Sequence, residues 1–173
     1  MPVEFELSPL THTDEPQMEQ LLDQAFGLSR RTKTSYRLRE GNTAVAELSQ
    51  AVRDAEVGLA GIISYWPLKI GETGTEALLL GPLAIHAERQ NRGIGMALMA
   101  QTLAKAKALG HSLVILVGDA PYYARVGFAQ IPEGQMILPG PSDPKRFLAL
   151  ELQEGALAKA HGLVLPAHRW RAL

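Results

Sequence analysis

The sequence predicts a mixed α/β fold, a mostly antiparallel seven-stranded sheet flanked by helices, with strands four and five parallel. Three observations carry this expectation. Strand-like and helix-like runs follow one another in the order βα(α)βββαβαβ, with a further apolar strand beyond. A long helical run joins the fourth strand to the fifth, a crossover that should be parallel and right-handed. At 173 residues and 46% hydrophobic composition, the chain has material for one proper core and is expected to form a single domain over 1–173.

Taken in order, residues 3–8 (VEFELS) alternate as a first strand should, and 13–27 (TDEPQMEQLLDQAFG) read as a helix capped by Thr13 or Asp14 and closed by Gly27. Residues 28–41 hold Arg30, Arg31, Lys33, Arg37 and Arg39 against Glu40, a dense basic cluster. Residues 43–52 and 57–71 are β-branched and aromatic, with RDAE between them as a hairpin turn. The fourth strand, 76–86 (EALLLGPLAIH), is interrupted by Gly81 and Pro82. Proline removes a ladder donor that a central strand needs, so a bulge or a splay from a neighbour is expected there.

Residues 93–109 form a helix in which Met96, Met99, Leu103 and Ala106 lie on one side and Ile94 with Leu98 on another, so burial on more than one face is expected. A fifth strand (111–119), a short helix (120–126), a sixth strand (127–131) and a seventh (146–152) complete the order. The proline-rich 131–145 reads as a loop. The apolar LVLPAHRW at 163–170 would cover the domain's own core or supply a homodimer contact.

Seventeen basic and eighteen acidic residues leave a formal charge of -1, so no global field points to nucleic acid or an anionic membrane. The chain has no cysteine, which excludes a disulfide framework, a thiolate metal site and a cysteine nucleophile. The acidic start and the absence of a long apolar run predict a soluble, cytoplasmic protein.

The stretch RQNRGIGMALM at 89–99 places two glycines at a helix start, where main-chain N–H groups can approach a phosphate. A Walker loop fails, because Met96 and Ala97 stand where Lys and Ser or Thr are needed. A dinucleotide fingerprint fails too, since Leu98 replaces the third glycine. Gln90-Asn91-Arg92-Gly93-Ile94-Gly95, with LGPLAIH before it and LVGDAPYYARVGF after it, resembles motif A of the GNAT superfamily, the acetyl-CoA-dependent N-acetyltransferases. The resemblance covers 77–131.

The resemblance implies an N-acetyltransferase that moves the acetyl group of acetyl-CoA to a primary amine by direct attack through a tetrahedral intermediate, with no metal. It implies that strand four splays from strand five, that Gln90 to Gly95 cradle the CoA pyrophosphate, and that Leu83, Ala84 and Ile85 pair with the pantetheine arm. The amide of Leu83 or Ala84 would stabilise the oxyanion. Tyr123, four residues before Gly127, would protonate the departing thiolate, or else be a core aromatic with its hydroxyl satisfied.

Arg89 and Arg92 would add charge against the phosphates, or be merely solvated. For the general base the sequence offers Glu76, His86, Glu88 and Asp119, with Asp119 equally suited to cap a helix, and a water relay as the alternative. The basic cluster would attract an acidic acceptor or form a solvated face, and the acceptor is a small molecule or a protein amine. The alternative function is a non-catalytic acyl-CoA-binding sensor or partner module on the same fold.

Overall fold

The computed structural model describes residues 5–171. Its strands are β1 (Leu7–Pro9), β2 (Gln50–Asp54), β3 (Gly58–Ile70), β4 (Thr75–Ile85), β5 (Leu113–Val117), β6 (Ala129–Gln130), β7 (Met136–Ile137), β8 (Phe147–Glu151) and β9 (Gly162–Pro166). The helices are α1 (Glu15–Phe26), α2 (Thr34–Arg39), α3 (Ile94–Ala108) and α4 (Ala120–Ala124). The sheet runs β1-β2-β3-β4-β5-β8-β6, with β4 and β5 parallel and the other neighbours on this path antiparallel. This is the predicted mixed sheet. Among the described residues, no helix is long and apolar enough to cross a membrane.

Several boundaries differ from the sequence reading, each for a packing reason. Part of the expected first strand, residues 3 and 4, lies outside the described residues, and β1 begins at Leu7. The expected strand 43–52 starts only at Gln50, because Ala46–Leu48 turn into a 3-10 helix that drives Leu48 fully into the core. The expected sixth strand shrinks to Ala129–Gln130, paired with Leu148 and Ala149. The loop 131–145 contributes β7, which pairs with β9.

β9 exists because β3 is longer than β2. β2 accompanies β3 only as far as Ile63, and β9 takes over at Leu68, Lys69 and Ile70. The segment 163–170 thus covers the molecule's own core: Val164 is fully buried, and the Trp170 indole donates to the Gly71 carbonyl at 2.9 Å.

Helices cover both faces of the sheet. α1 lays Leu21 and Leu22 on Ile62 and Ala84, and Leu38 of α2 packs with Leu68, Leu79 and Ile115. On the other face α3 buries Ile94, Leu98, Met99, Thr102, Leu103 and Ala106. At ~100° per residue these form one continuous stripe about half the circumference wide, so the two sides expected from sequence merge into a single broad face. Gly61 of β3 lets α3 sit close, because a Cβ there would meet Ile94 Cγ2 at 2.6 Å. Thr102, polar and buried in this stripe, is satisfied by the Leu98 carbonyl at 2.6 Å and by the Tyr65 hydroxyl at 2.7 Å.

Leu98 is fully buried at the centre of this face. Leu98→Ala should cost about 2–5 kcal/mol in urea unfolding, by lost burial and the cavity left behind.

Candidate active site

The site begins at the interruption in β4. Ile63 pairs with Leu83 and Tyr65 with Leu80, so Ser64 alone faces both Gly81 and Pro82, and the extra residue makes a bulge. The Trp66 indole N–H donates to the Gly81 carbonyl at 2.5 Å and pins the bulge to β3. On the other side β4 pairs with β5 only through Leu78 with Val114 and Leu79 with Ile115. Past that point the two strands separate.

Strand alternation decides which β4 groups face the opening. The His86 N–H donates to the Ala60 carbonyl at 2.8 Å, so His86 turns its backbone toward β3. Ala84, two residues earlier, does the same opposite Ile62. Leu83 and Ile85 therefore turn N–H and C=O toward the gap. Of the two amides considered for an oxyanion, Leu83 is the one that faces it.

At the outer end of the gap lies a cavity of about 530 Å³, lined by Leu83, Ala84, Ile85 and by Gln90, Asn91, Gly93, Ile94 and Gly95, with Tyr123 among its walls. Arg92, in the same turn, is exposed and does not line it. Asn91 and Gly93 have φ of +62° and +86°, a left-handed turn that presents the N-terminus of α3 to the cavity. The N–H groups of the first helical turn have no intrahelical acceptor, and the helix dipole adds positive charge there.

The two glycines have different tasks. Gly93 supplies conformation, since a Cβ there would meet nothing within 4 Å. Gly95 supplies room for a side chain: its Cβ would lie 2.3 Å from the Tyr122 hydroxyl oxygen. Tyr122 thus packs over the helix start, edge to face with Tyr123 at 5.0 Å.

Arg89 is not available to a phosphate. It is buried and ion-paired with Asp54 at 2.7 Å and Glu56 at 2.8 Å in the turn between β2 and β3. Arg89 and Arg125 both line the cavity, and Arg125, stacked over the Tyr122 ring at 5.9 Å, is the one without an ion pair among the described residues. Sequence reasoning missed it. The available signal was its position two residues after Tyr123.

Leu83, Tyr122 and Tyr123 also line a second cavity of about 710 Å³ on the inner side of the gap. Gly118 makes room for the Tyr123 ring, which packs edge-on against Phe128 at 6.0 Å. Its hydroxyl makes no hydrogen bond to protein among the described residues. Burial, reinforced by Tyr122, pushes the phenol up to about 12, so it keeps its proton at neutral pH.

The element order, the splayed parallel pair and the helix-start cradle agree with a family comparison. Residues 6–131 match the model for the acetyltransferase (GNAT) domain. The chain belongs to the GNAT acetyltransferase family. No curated protein matches it. Among solved structures, the GNAT domain resembles the N-acetyltransferase YhbS from Escherichia coli in complex with CoA, at TM-score 0.79 and 21% identity over 99% of this chain and 95% of that one. A GNAT acetyltransferase from Brucella melitensis in complex with acetyl-CoA gives 0.61 and 22% over 88% and 97%. Arabidopsis thaliana Naa50 with the bisubstrate analogue CoA-Ac-MVNAL gives 0.60 and 17% over 86% and 99%. These are likenesses of fold.

Within this GNAT domain the structure sorts the candidate bases. Glu76, His86 and Glu88 line neither cavity, and His86 Nδ1 accepts the Glu88 N–H at 3.1 Å. Asp119 lines the larger cavity. It stands at the N-cap position of α4, but its side chain makes no capping bond.

Two outcomes test this geometry. Gly95→Ala should destabilise the fold by about 1–3 kcal/mol through overpacking. Adding Tyr122→Phe should restore stability, because the ring carbon behind the hydroxyl is 3.6 Å away, ordinary contact. The second concerns Arg89, which holds the Asp54 carboxyl well below the usual range. Stability from this pair is complete above about pH 4 and lost as pH falls through the lowered folded value. Wild-type thermal stability should fall more steeply from pH 5 to pH 2 than that of Arg89→Ala; parallel profiles would refute the coupling.

Proposed function

We propose that the protein transfers the acetyl group of acetyl-CoA to a primary amine by direct attack. The observation that carries this reading is the gap between β4 and β5, which joins the two cavities at Leu83 and Tyr123. The outer cavity has the features a pyrophosphate needs, a helix N-terminus, a left-handed turn and Arg125. Leu83 and Ile85 have backbone groups free to pair with an extended pantetheine arm, as a neighbouring strand would.

Roles follow from position. Leu83 N–H donates to the carbonyl oxygen as it gains charge, a donor already aimed and held by the β3–β4 ladder. The amine nitrogen bonds to the carbonyl carbon, the carbon–sulfur bond breaks, and the proton lost by the amine balances the one gained by the thiolate. Tyr123, still protonated, donates to the sulfur as it leaves. Asp119 or a water at the mouth of the inner cavity takes the amine proton.

Support for a small acceptor comes from the wall opposite β4. The Thr34 hydroxyl donates to the Pro141 carbonyl at 2.5 Å and Arg37 to the Pro139 carbonyl at 2.8 Å, so the 139–143 loop is tied across α2. A cavity of about 710 Å³ closed on that side is the size of a small-molecule site.

Calorimetric titration should detect acetyl-CoA binding to wild type and none to Gly93→Glu, which adds strain and negative charge at the cradle. No binding to folded wild type would overturn the reading. Binding without thiol release across an amine panel would support the sensor alternative instead. Tyr123→Phe should lower kcat about 100-fold or more. Because Tyr123 does not ionise until about pH 12, the wild-type rate should rise with pH as the amine deprotonates and show no falling limb below pH ~10.

A further inference from the structure

The inner cavity has six charged residues in its lining: Arg30, Lys33, Arg39, Asp119, Asp143 and Arg146. Most of the basic cluster that supplies them is already engaged. Arg30 is buried and paired with Glu19 and with Asp23 at 3.1 Å, and Arg31 also pairs with Glu19, at 2.7 Å. Arg37 is spent on the 139–143 loop, and the Lys33 ammonium lies 5.5 Å from the Phe26 ring. Asp143 accepts the Lys145 N–H at 3.0 Å, at the start of a 3-10 turn.

Of the two cations in the cluster that are not exposed, Arg30 is paired and Arg39 is not. Arg39 is half-buried, its guanidinium lies 5.3 Å from the Tyr36 ring, and it forms no salt bridge and no side-chain hydrogen bond among the described residues. Its Nε is enclosed without any acceptor, whereas its two terminal amino groups are not enclosed and bond no protein group among the described residues, so they are the donors a ligand in the cavity can reach. Burial lowers the guanidinium pKa to about 10, which leaves it cationic at neutral pH. A partly desolvated charge with unused donors costs free energy unless an anion completes it. An unpaired group of this kind in a folded protein calls for an explanation, and a ligand that supplies the partner is one.

We propose that Arg39 binds a carboxylate on the acceptor, so that the molecule acetylated is a small amino acid-like compound with its primary amine toward Leu83 and its carboxylate toward α2. This rests on the acetyl-transfer reading of the same cavity. The planar guanidinium, held against the Tyr36 ring, matches a carboxylate through two parallel hydrogen bonds. Lys33 and Arg146 add to the positive field around it, against the carboxylates of Asp119 and of Asp143, which accepts a backbone N–H.

The test uses acceptor pairs that differ only in the carboxylate, phenylalanine with phenethylamine, histidine with histamine and 4-aminobutyrate with propylamine, alongside a short peptide with a free C-terminus. For wild type, kcat/KM should favour at least one free carboxylate-bearing amine over its partner by about 10- to 100-fold, the range of a charge-assisted hydrogen bond. Arg39→Gln should collapse that ratio mainly through KM, and Arg39→Lys should keep part of it. Arg39→Gln should also fold with undiminished thermal stability, because it removes an uncompensated charge, whereas a structural role would lower it.

Equal use of both members of every pair by wild type, or an unchanged ratio in Arg39→Gln, overturns the proposal while leaving acetyl transfer standing. Preference for the peptide over all free acids overturns the small-molecule assignment. If no amine is acetylated and no acid binds to the CoA complex in calorimetry, the proposal is overturned. Absence of acetyl-CoA binding in a separate titration would mark failure of the underlying function.

Discussion

The parallel contact between β4 and β5 lasts two residue pairs, and the arrangement of the site depends on its brevity. A continuous parallel ladder would bury the backbone of Leu80 to Ile85 against β5 and leave no opening. The bulge at Gly81 and Pro82 prevents this by putting two residues opposite Ser64, which turns the outer half of β4 away from β5 while keeping it paired to β3. An interior strand thus acquires a free edge. Its unpaired amides remain rigid because the ladder on the other side holds them, the condition for a preorganised donor.

Around that edge the helices act as walls. α3 is fixed by a broad apolar face, by the close approach that Gly61 permits, and by the buried Tyr65–Thr102 pair. Its N-terminus therefore has a defined position relative to Leu83 and Ile85. On the other face α2 is tied to the 139–143 loop. The rigid cradle and the inner cavity meet at two tyrosines, of which Tyr122 packs over Gly95 and Tyr123, its hydroxyl unbonded to protein among the described residues, lines both spaces.

A few ion pairs tie distant parts of the chain together. Arg89 answers Asp54 and Glu56, Arg53 answers Asp14, and Arg30 answers Glu19 and Asp23. These pairs join turns and helix surfaces that apolar packing alone would leave loosely placed. Arg39 has no such partner although its Nε is enclosed, and the Asp119 carboxylate makes no capping bond; both line the inner cavity.

By itself the sequence determined what depends on local chemistry. Apolar periodicity located α1, α3 and the strands of the central sheet; the order of elements made β4 and β5 parallel; Gly81-Pro82 marked the interruption; and Gly93 with Gly95 marked a helix start whose backbone can approach a phosphate. These features are set within a few residues, so one chain segment is enough to read them. Tertiary structure decided what depends on residues far apart in the chain. Strand pairing chose Leu83 over Ala84, because the direction of an amide follows from its partner strand. Hairpin carboxylates more than thirty residues away pair with Arg89, so of the two arginines at the outer cavity Arg125 is the one left without an ion pair. β9 formed because β3 outruns β2, a length mismatch no local pattern records. Whether a charge in the basic cluster is free depends on which carboxylates the fold brings within reach, so only the packed structure distinguishes Arg39 from its neighbours.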